Sequence, residues 1–438
     1  VSQLSQSNLE KIDAKKFKPS LLVIGYVWPE PESSAAGRHI LSLIQAFQTA
    51  GFKVVFASPA RSSDFMFDLS TIGVKTESIA INDDAFDEFC SQLNPTVVLF
   101  DRFMMEEQFG WRVERCCPNA LRVLDTEDLQ FLRDARHRAF KQQREIANSD
   151  FMSELTLREV AAILRSDLSL IISAFECELL QRQFNVPKQQ LITIPFMVPF
   201  SEANFKPFEE RQHFVAIGNF RHAPNWDSVL FLKQIWPKIR ARIPQAELHI
   251  YGAYTPPKAT ALNDSKSGFL IKDRAQDAFQ VIAEAKVLLA PLRFGAGIKG
   301  KLIDAMQMGT PSVTTPVGAE SMHAELAWPG SIASNEDEFV QQAVELYENS
   351  QKWMRAQQAI APIMKEVFDR EALEKKLLTR VQNILDDMDE HRSQLFYNAM
   401  LRHHSLRSTE FMSRWIDVKN QLANVKSHSR PSDRNGDV

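Results

Sequence analysis

Short apolar runs alternate along this chain with segments whose apolar residues recur at helical spacing. Few folds accept that alternation. The run Leu21 to Val27 (LLVIGYV) is bounded by Pro29 and Pro31, as expected for a strand buried on both faces. In the segment that follows, Ile40, Leu43, Ile44 and Phe47 mark one helix face, and Gly51 supplies the stop. FKVVFAS then reads as a second strand, which completes a βαβ unit. Further strands are predicted at 95–101, 121–125, 168–173 and 191–196, with helices over 128–147 and 150–165. A second series places strands at 213–218, 246–252, 268–273, 286–292 and 311–315, and helices at 225–242 and 275–285. A Gly-rich turn and helix run from 295 to 309, and helices fill 335–390. The pattern predicts an α/β fold of two tandem Rossmann-like parallel-sheet domains with a crevice between them.

Residues 199–212 are polar, aperiodic and carry prolines, so they are expected to link an N-terminal domain (1–198) to a C-terminal one (213–362). Helices at 363–390 are expected to pack back towards the N-terminal domain. A basic, partly amphipathic tail (391–438) ends the chain. It holds eight basic and four acidic residues. Leu395, Phe396, Met400, Leu401, Phe411, Met412, Trp415 and Ile416 form its apolar helix face. The tail reads either as a docking helix with a disordered end or as a surface helix for a membrane or a partner.

The length, 438 residues, exceeds what one core sustains. The 51 basic and 55 acidic residues give a net charge of −4, which argues against a nucleic-acid partner. Four cysteines (Cys90, Cys116, Cys117, Cys177) show no metal-ligand spacing and fit a reducing compartment. The polar stretch VSQLSQSNLEKIDAKK lacks the apolar centre of a secretory signal. No apolar run approaches the roughly 18 residues of a membrane span. The expected location is cytoplasmic, with peripheral membrane contact through the tail as the variant reading.

Glycine placement marks the candidate site. Of 15 glycines, Gly295, Gly297, Gly300, Gly309 and Gly318 fall within 295–318. There the order is strand, Gly-rich turn, helix, strand. Such a turn lets backbone N–H groups approach an anion, and the next helix adds its positive dipole end. Lys299 and Lys301 add charge suited to the diphosphate of a sugar nucleotide. Asp304 lies two turns in, where a carboxylate can accept hydrogen bonds from the vicinal hydroxyls of a ribose. Ile298, Leu302, Ala305 and Met306 would bury the other face. The bland alternative is a tight turn and nothing more.

Carboxylates Asp125, Glu127 and Asp128 follow one strand, and Asp101 with Arg102 follows another. At the strand ends of an open parallel sheet they face the crevice, where Asp125 and Asp128 would orient acceptor hydroxyls or act as a base. The competing reading has Asp125 or Thr126 capping the next helix. Gly37 would let the donor phosphate approach the first helix, while Arg38 and His39 read as exposed helix residues. Arg274 reads either as flanking a nucleobase or as a solvated arginine. The charged helix 128–145 reads as a solvated face, and Phe103, Phe109 and Trp111 read as core by default, with packing on an acceptor as the alternative.

The block GAGIKGKLIDAMQMGTPSVTTPVGAE (295–320) resembles the donor-site signature of GT-B fold glycosyltransferases, specifically the retaining group called family 4. Gly295, Gly297, Lys301, Asp304, Ala305, Gly309, Pro311 and Val313 fill the family pattern. AIGNFRHAPNWDSVLFLKQIWPKIRARIPQAELHIYG is similar to the family's opening of the C-terminal domain. GYVWPEPESSAAGRHILSLIQAFQTAGFKVVF resembles its first βαβ unit. The likeness spans roughly 20–370. It implies transfer of a sugar from a nucleotide-sugar donor to a glycan, lipid-linked or small-molecule acceptor, with retention. No D-x-D stands at the donor loop, so no metal and no other cofactor is expected. Two departures stand out. Many relatives have a Glu where Ala296 stands and a second Glu at Asp304. Where relatives carry an Arg and a Lys after the first C-domain strand, this chain has Asn219, Phe220, Arg221 and His222. Arg221 is the expected phosphate ligand there, with His222 as a second donor. The resemblance therefore implies a donor site of Gly37, Asn219, Arg221, His222, Arg274, Gly295, Ala296, Gly297, Ile298, Lys299, Lys301 and Asp304. Lys301, Arg221, Asp125 and Asp128 carry the catalytic expectations. The rivals are a nucleotide-sugar epimerase on the same fold, a catalytically degenerate sugar-nucleotide scaffold and a dehydrogenase. No G-x-G-x-x-G follows the first strand, which counts against the last. The sugar, the base, the acceptor and the oligomeric state stay open.

Overall fold

The structure, a computed structural model, describes residues 19–203 and 205–428. The polar N-terminal stretch lies outside the described residues, as do Arg430, Asp433, Arg434 and Asp437 of the tail.

Among the described residues, thirteen strands build two wholly parallel sheets. The first contains β1 (Ser20–Ile24), β2 (Lys53–Ser58), β3 (Lys75–Ser78), β4 (Val97–Asp101), β5 (Leu121–Asp125), β6 (Leu168–Ile171) and β7 (Leu191–Thr193). Its order is β3-β2-β1-β4-β5-β6-β7. The second contains β8 (Gln212–Ile217), β9 (Leu248–Tyr251), β10 (Phe269–Ile271), β11 (Ala285–Ala290), β12 (Ser312–Thr314) and β13 (Gly330–Ile332), ordered β10-β9-β8-β11-β12-β13. In both sheets the winding reverses beside the first strand, between β1 and β4 and between β8 and β11. The central strands are buried on both faces, which explains their unbroken apolar runs. Edge strand β3 (KTES) is exposed throughout and has no apolar pattern, so the sequence gives no sign of it. β13 spans only three residues and is equally silent.

Several helices are shorter than predicted. The 128–147 segment is helical only over Gln130–Lys141, and 150–165 starts at Glu154 behind a Ser153 cap. The helix expected at 275–285 runs from Ala278 behind its Asp277 cap to Glu284. The segment 199–212 is no loose linker. Arg211 is buried and donates to Thr310 Oγ1 (2.6 Å) and to the carbonyls of Met308 (2.7 Å) and Lys206 (2.9 Å).

The chain changes side near 368–369. Ile360, Ile363, Met364 and Phe368 lie in the C-terminal core, whereas the expected change was at 363. Val198 bridges to Asp369, and the helix Arg370–Asp386 sends Leu373, Leu377, Val381 and Ile384 into the core beneath β1. The next anchor is ionic. Asp167, with no exposed side-chain surface, accepts from Arg122 (2.9 Å) and from Arg392 (2.8 Å), and its carbonyl meets His391 Nε2 (2.8 Å). Burial alone would raise the Asp167 pKa, but the two guanidiniums hold it far below the usual carboxylate range.

Breaking a buried ion pair from one side leaves uncompensated charge. Asp167→Asn is therefore expected to cost about 3 kcal/mol of stability, read by urea unfolding at neutral pH. Because the folded pKa is depressed, this stabilisation is present above the unfolded value and fades as pH falls below it.

Candidate active site

The two reversal points face each other. The carboxyl ends of β1, β4 and β5 meet those of β8 and β11 across a cleft of about 530 Å³. This is where an open α/β sheet leaves room for a ligand between diverging connections.

The C-terminal wall is the turn after β11. Gly297 holds φ +64°, a left-handed conformation that glycine adopts without strain. The helix Gly300–Gln307 follows, with Lys301 in its first turn. Lys301 Nζ lies 2.7 Å from Asn225 Oδ1 and packs over Gly218, where a Cβ would sit only 2.9 Å from it. Burial pushes the Lys301 pKa down to about 8, with Asp304 opposing. Lys299 has a similarly lowered pKa, about 8, again through burial. Its ammonium turns back to the carbonyls of Ala296 and Gly297. Asp304 is not bare. Arg38 of the N-terminal domain donates to both its oxygens, at 2.7 and 2.9 Å. Burial raises the Asp304 pKa and Arg38 opposes the rise.

The N-terminal wall carries a buried charged cluster. Glu127 sits at φ +59° directly after Thr126 and lines the cleft. Burial, then the neighbouring Asp125, raises its pKa to about 8. Asp125 Oδ1 accepts from the Glu127 amide (3.2 Å), and its Oδ2 lies 3.5 Å from His39 Nε2. Burial alone would lower the His39 pKa. Asp125, backed by Glu127 and Asp101, outweighs it and brings the value to about 9. Asp101 Oδ2 accepts from the Tyr26 amide (3.0 Å), and the Arg102 guanidinium lies over the Tyr26 ring at 5.2 Å.

Of the residues singled out from sequence, Asn219, His222, Arg274, Gly295, Ala296, Ile298, Lys299, Lys301, Asp304 and Asp128 line the cleft. Four do not. Asp125 is buried behind Glu127, so of the three carboxylates that follow β5 it is Glu127 and Asp128 that reach the cleft. The Gly37 amide caps its helix on Ser34 Oγ (3.0 Å), and a Cβ there would strike the Glu30 backbone. Gly37 thus permits helix–turn packing and makes no approach to the cleft. Arg221 is exposed and stacks on the Tyr254 ring at 3.7 Å. Gly297 spends its amide on Glu176 Oε1 (2.8 Å).

The capping reading also fails. The helix Gln130–Lys141 receives its caps from distant glutamates. Glu159 accepts from Gln130 (3.0 Å) and Phe131 (2.8 Å), and Glu176 accepts from Leu129 (3.2 Å). Its charged side is not simply solvated either. Arg136 crosses to Glu320 (2.8 Å) and to the Gly295 carbonyl (2.8 Å). His39, expected on the surface, is fully enclosed. Phe103, Phe109 and Trp111 are core, as read. Among the described residues, no group of three or more His, Cys, Asp or Glu is placed to hold a metal ion.

Residues 211–349 match the family model for glycosyl transferases group 1. The match takes in most of the C-terminal domain and about a third of the chain, and that domain is similar to the group. No curated protein matches the sequence significantly. Solved structures match almost the whole architecture. A glycosyltransferase from Rickettsia africae superposes with a TM-score of 0.65 at 12% identity, covering 85% of this chain and 100% of that one. The sucrose-phosphate synthase of Thermosynechococcus elongatus gives 0.63 at 13%, covering 84% and 99%. The Anabaena protein HepE, in complex with UDP and glucose, gives 0.60 at 12%, covering 83% and 100%. At these identities the likeness establishes the fold, which is GT-B.

In this GT-B cleft the glycines of the turn serve the opposite domain as much as any ligand. A Cβ on Gly297 would come within 2.7 Å of Asp128 Cβ, and one on Gly300 within 2.4 Å of Ala35 Cβ. Gly300→Ala is expected to wedge the domains apart. Thermal stability should hold, while activity falls by about 10²-fold, since misplacing a catalytic wall by an ångström costs that much. Small-angle scattering should show the variant expanded.

Proposed function

We propose that this chain transfers a sugar from a nucleotide-sugar donor to an acceptor hydroxyl bound on the N-terminal side of the cleft. The carrying observation is the placement of Lys301. Its ammonium lies half-buried at the reversal point of the C-terminal sheet, in the first turn of a helix and beside the Gly-rich turn. A group so placed neutralises charge that grows on a leaving diphosphate. Asn219, His222 and the turn residues Gly295, Ala296 and Ile298 complete the donor wall. Asp304 receives the ribose hydroxyls once Arg38 yields. Arg274, lying over Phe65 at 4.5 Å, flanks the base.

The reaction breaks the bond between the anomeric carbon and the diphosphate oxygen and forms one to the acceptor oxygen. The acceptor proton leaves with the diphosphate or passes to Asp128 or Glu127, both on the facing wall. The family resemblance supports retention and chemistry without a metal. Four free thiols support a reducing, cytoplasmic setting. A second reading, a nucleotide-binding scaffold without turnover, is favoured by Ala296 where relatives place a carboxylate.

Thermal unfolding with a panel of nucleoside diphosphates tests the donor site. A ligand at 100 times its dissociation constant adds roughly 2.7 kcal/mol. One nucleotide is expected to shift the wild type, and Lys301→Ala and Asp304→Ala should abolish the shift. In a transfer assay Lys301→Ala should lower turnover by about 10²-fold; wild-type turnover in that variant rejects the assignment. Nucleotide binding without turnover across acceptors selects the scaffold reading.

The lowered Lys301 pKa sets a pH dependence. The ammonium is charged below about 8 and neutral above it. Affinity for the diphosphate is therefore expected to be flat below that value and to weaken as pH rises through it. Calorimetric titration over this range checks the prediction, with Lys301→Met weak at every pH.

A further inference from the structure

The final helix, Phe396–His428, is docked the wrong way round for an amphipathic helix. A surface helix ordinarily buries its apolar stripe and leaves polar residues in water. Here the buried face is polar. Asn398 donates to the carbonyls of Arg165 (2.8 Å) and Ser166 (3.0 Å), and Arg402 pairs with Glu114. Ser413 and Asp417 both receive Arg112, at 3.1 and 3.0 Å, and Arg112 is itself 1% exposed.

The outward face is apolar. Tyr397, Met400, Phe411, Trp415, Val418 and Leu422 recur at helical spacing, and their exposure runs from 37% for Met400 to 65% for Phe411. They cover roughly 38 Å of helix at 1.5 Å per residue. They form two exposed apolar patches on one side of the helix, Tyr397 with Met400 and Phe411 to Leu422, and patches of that kind mark an interaction surface.

Charge decides what it meets. Residues 396–428 hold five Lys or Arg and two acids. Both acids are engaged on the docked side: Asp417 by Arg112, and Glu410 by Arg414 and Arg115. Lys419 flanks the second patch with its ammonium 5.2 Å from the Trp415 ring. A second copy of this face, meeting it about a two-fold axis, would set a helix with three more basic than acidic residues against its own like charge. An anionic lipid surface supplies the opposite charge and accepts the aromatic and aliphatic patches at its headgroup boundary. No described helix is long and apolar enough to cross a membrane, so contact would be in-plane.

We propose that the outward face of Phe396–His428 docks the protein on an anionic bilayer, placing the N-terminal domain against the lipid. The proposal is independent of the donor-site assignment. The test is co-sedimentation of the full chain with vesicles of phosphatidylcholine alone or with phosphatidylglycerol added. The wild type should pellet with the anionic vesicles, less so as salt rises, and not with the neutral ones. The triple variant Phe411→Ser, Trp415→Ser, Leu422→Ser should lose binding at least ~10-fold, and Lys419→Glu should weaken it. The thermal unfolding of both variants and their nucleotide response should match wild type, because the substituted side chains face outwards. Three outcomes overturn the proposal. They are no pelleting with either vesicle, undiminished pelleting of the triple variant, or a concentration-dependent dimer in lipid-free buffer that the same substitutions abolish.

Discussion

One buried carboxylate ties the two halves of this molecule together. Glu176 Oε1 accepts from Leu129, at the entrance of an N-terminal helix, and from Gly297, in the C-terminal turn. A carboxylate this deeply buried is unfavourable unless polar partners compensate it. Burial and nearby Asp128 raise its pKa to about 7, while the two amides and Lys299 oppose the rise. The same oxygen thus fixes the direction of the acceptor-side helix and the place of the Gly-rich turn. The neighbouring contacts of Arg136 with Glu320 and Phe175 with Ser321 lie around this joint and reinforce it.

Closeness of the walls follows. Glycine at 297 and 300 lets backbone meet Asp128 and Ala35 at distances that any side chain would forbid. The cleft that results is lined on one side by Lys301 and on the other by Glu127 and Asp128. The cation and the carboxylates lie on different domains. Only a closed arrangement brings them to a common ligand, which is the usual division of labour between binding and commitment in two-domain enzymes.

How much of this was legible in the sequence depends on range. Strand order within each βαβ unit and the Gly-rich turn are local, and the apolar runs reported them. Lys301 and Asp304 were found through their spacing from that turn. What could not be read is the pairing of residues far apart. Glu159 and Glu176 cap a helix from other helices, and no nearby Ser or Asp announces them. His39 carries a polar side chain on a helix face, yet it is sealed in by Asp125, which lies on another strand. Arg221 sits where relatives place a phosphate ligand, but Tyr254 holds it outside the cleft. The tail misleads in the opposite sense. Its apolar pattern is real, but its burial is set by Arg112 and Arg165, whose segments lie hundreds of residues earlier.

The contact between Arg38 and Asp304 changes what donor binding means. The carboxylate proposed to receive the ribose is already engaged by two charge-assisted hydrogen bonds from the facing domain. A nucleotide that takes Asp304 does not fill a vacancy. It replaces one set of bonds with another and sets a guanidinium free at the moment the diphosphate arrives. In the proposed donor complex that released cation can follow the phosphate charge, so a bond between the two domains is exchanged for bonds to the ligand. Affinity in such a site measures a difference between two closed states, and a ligand with ribose but no phosphate pays for the exchange without the return.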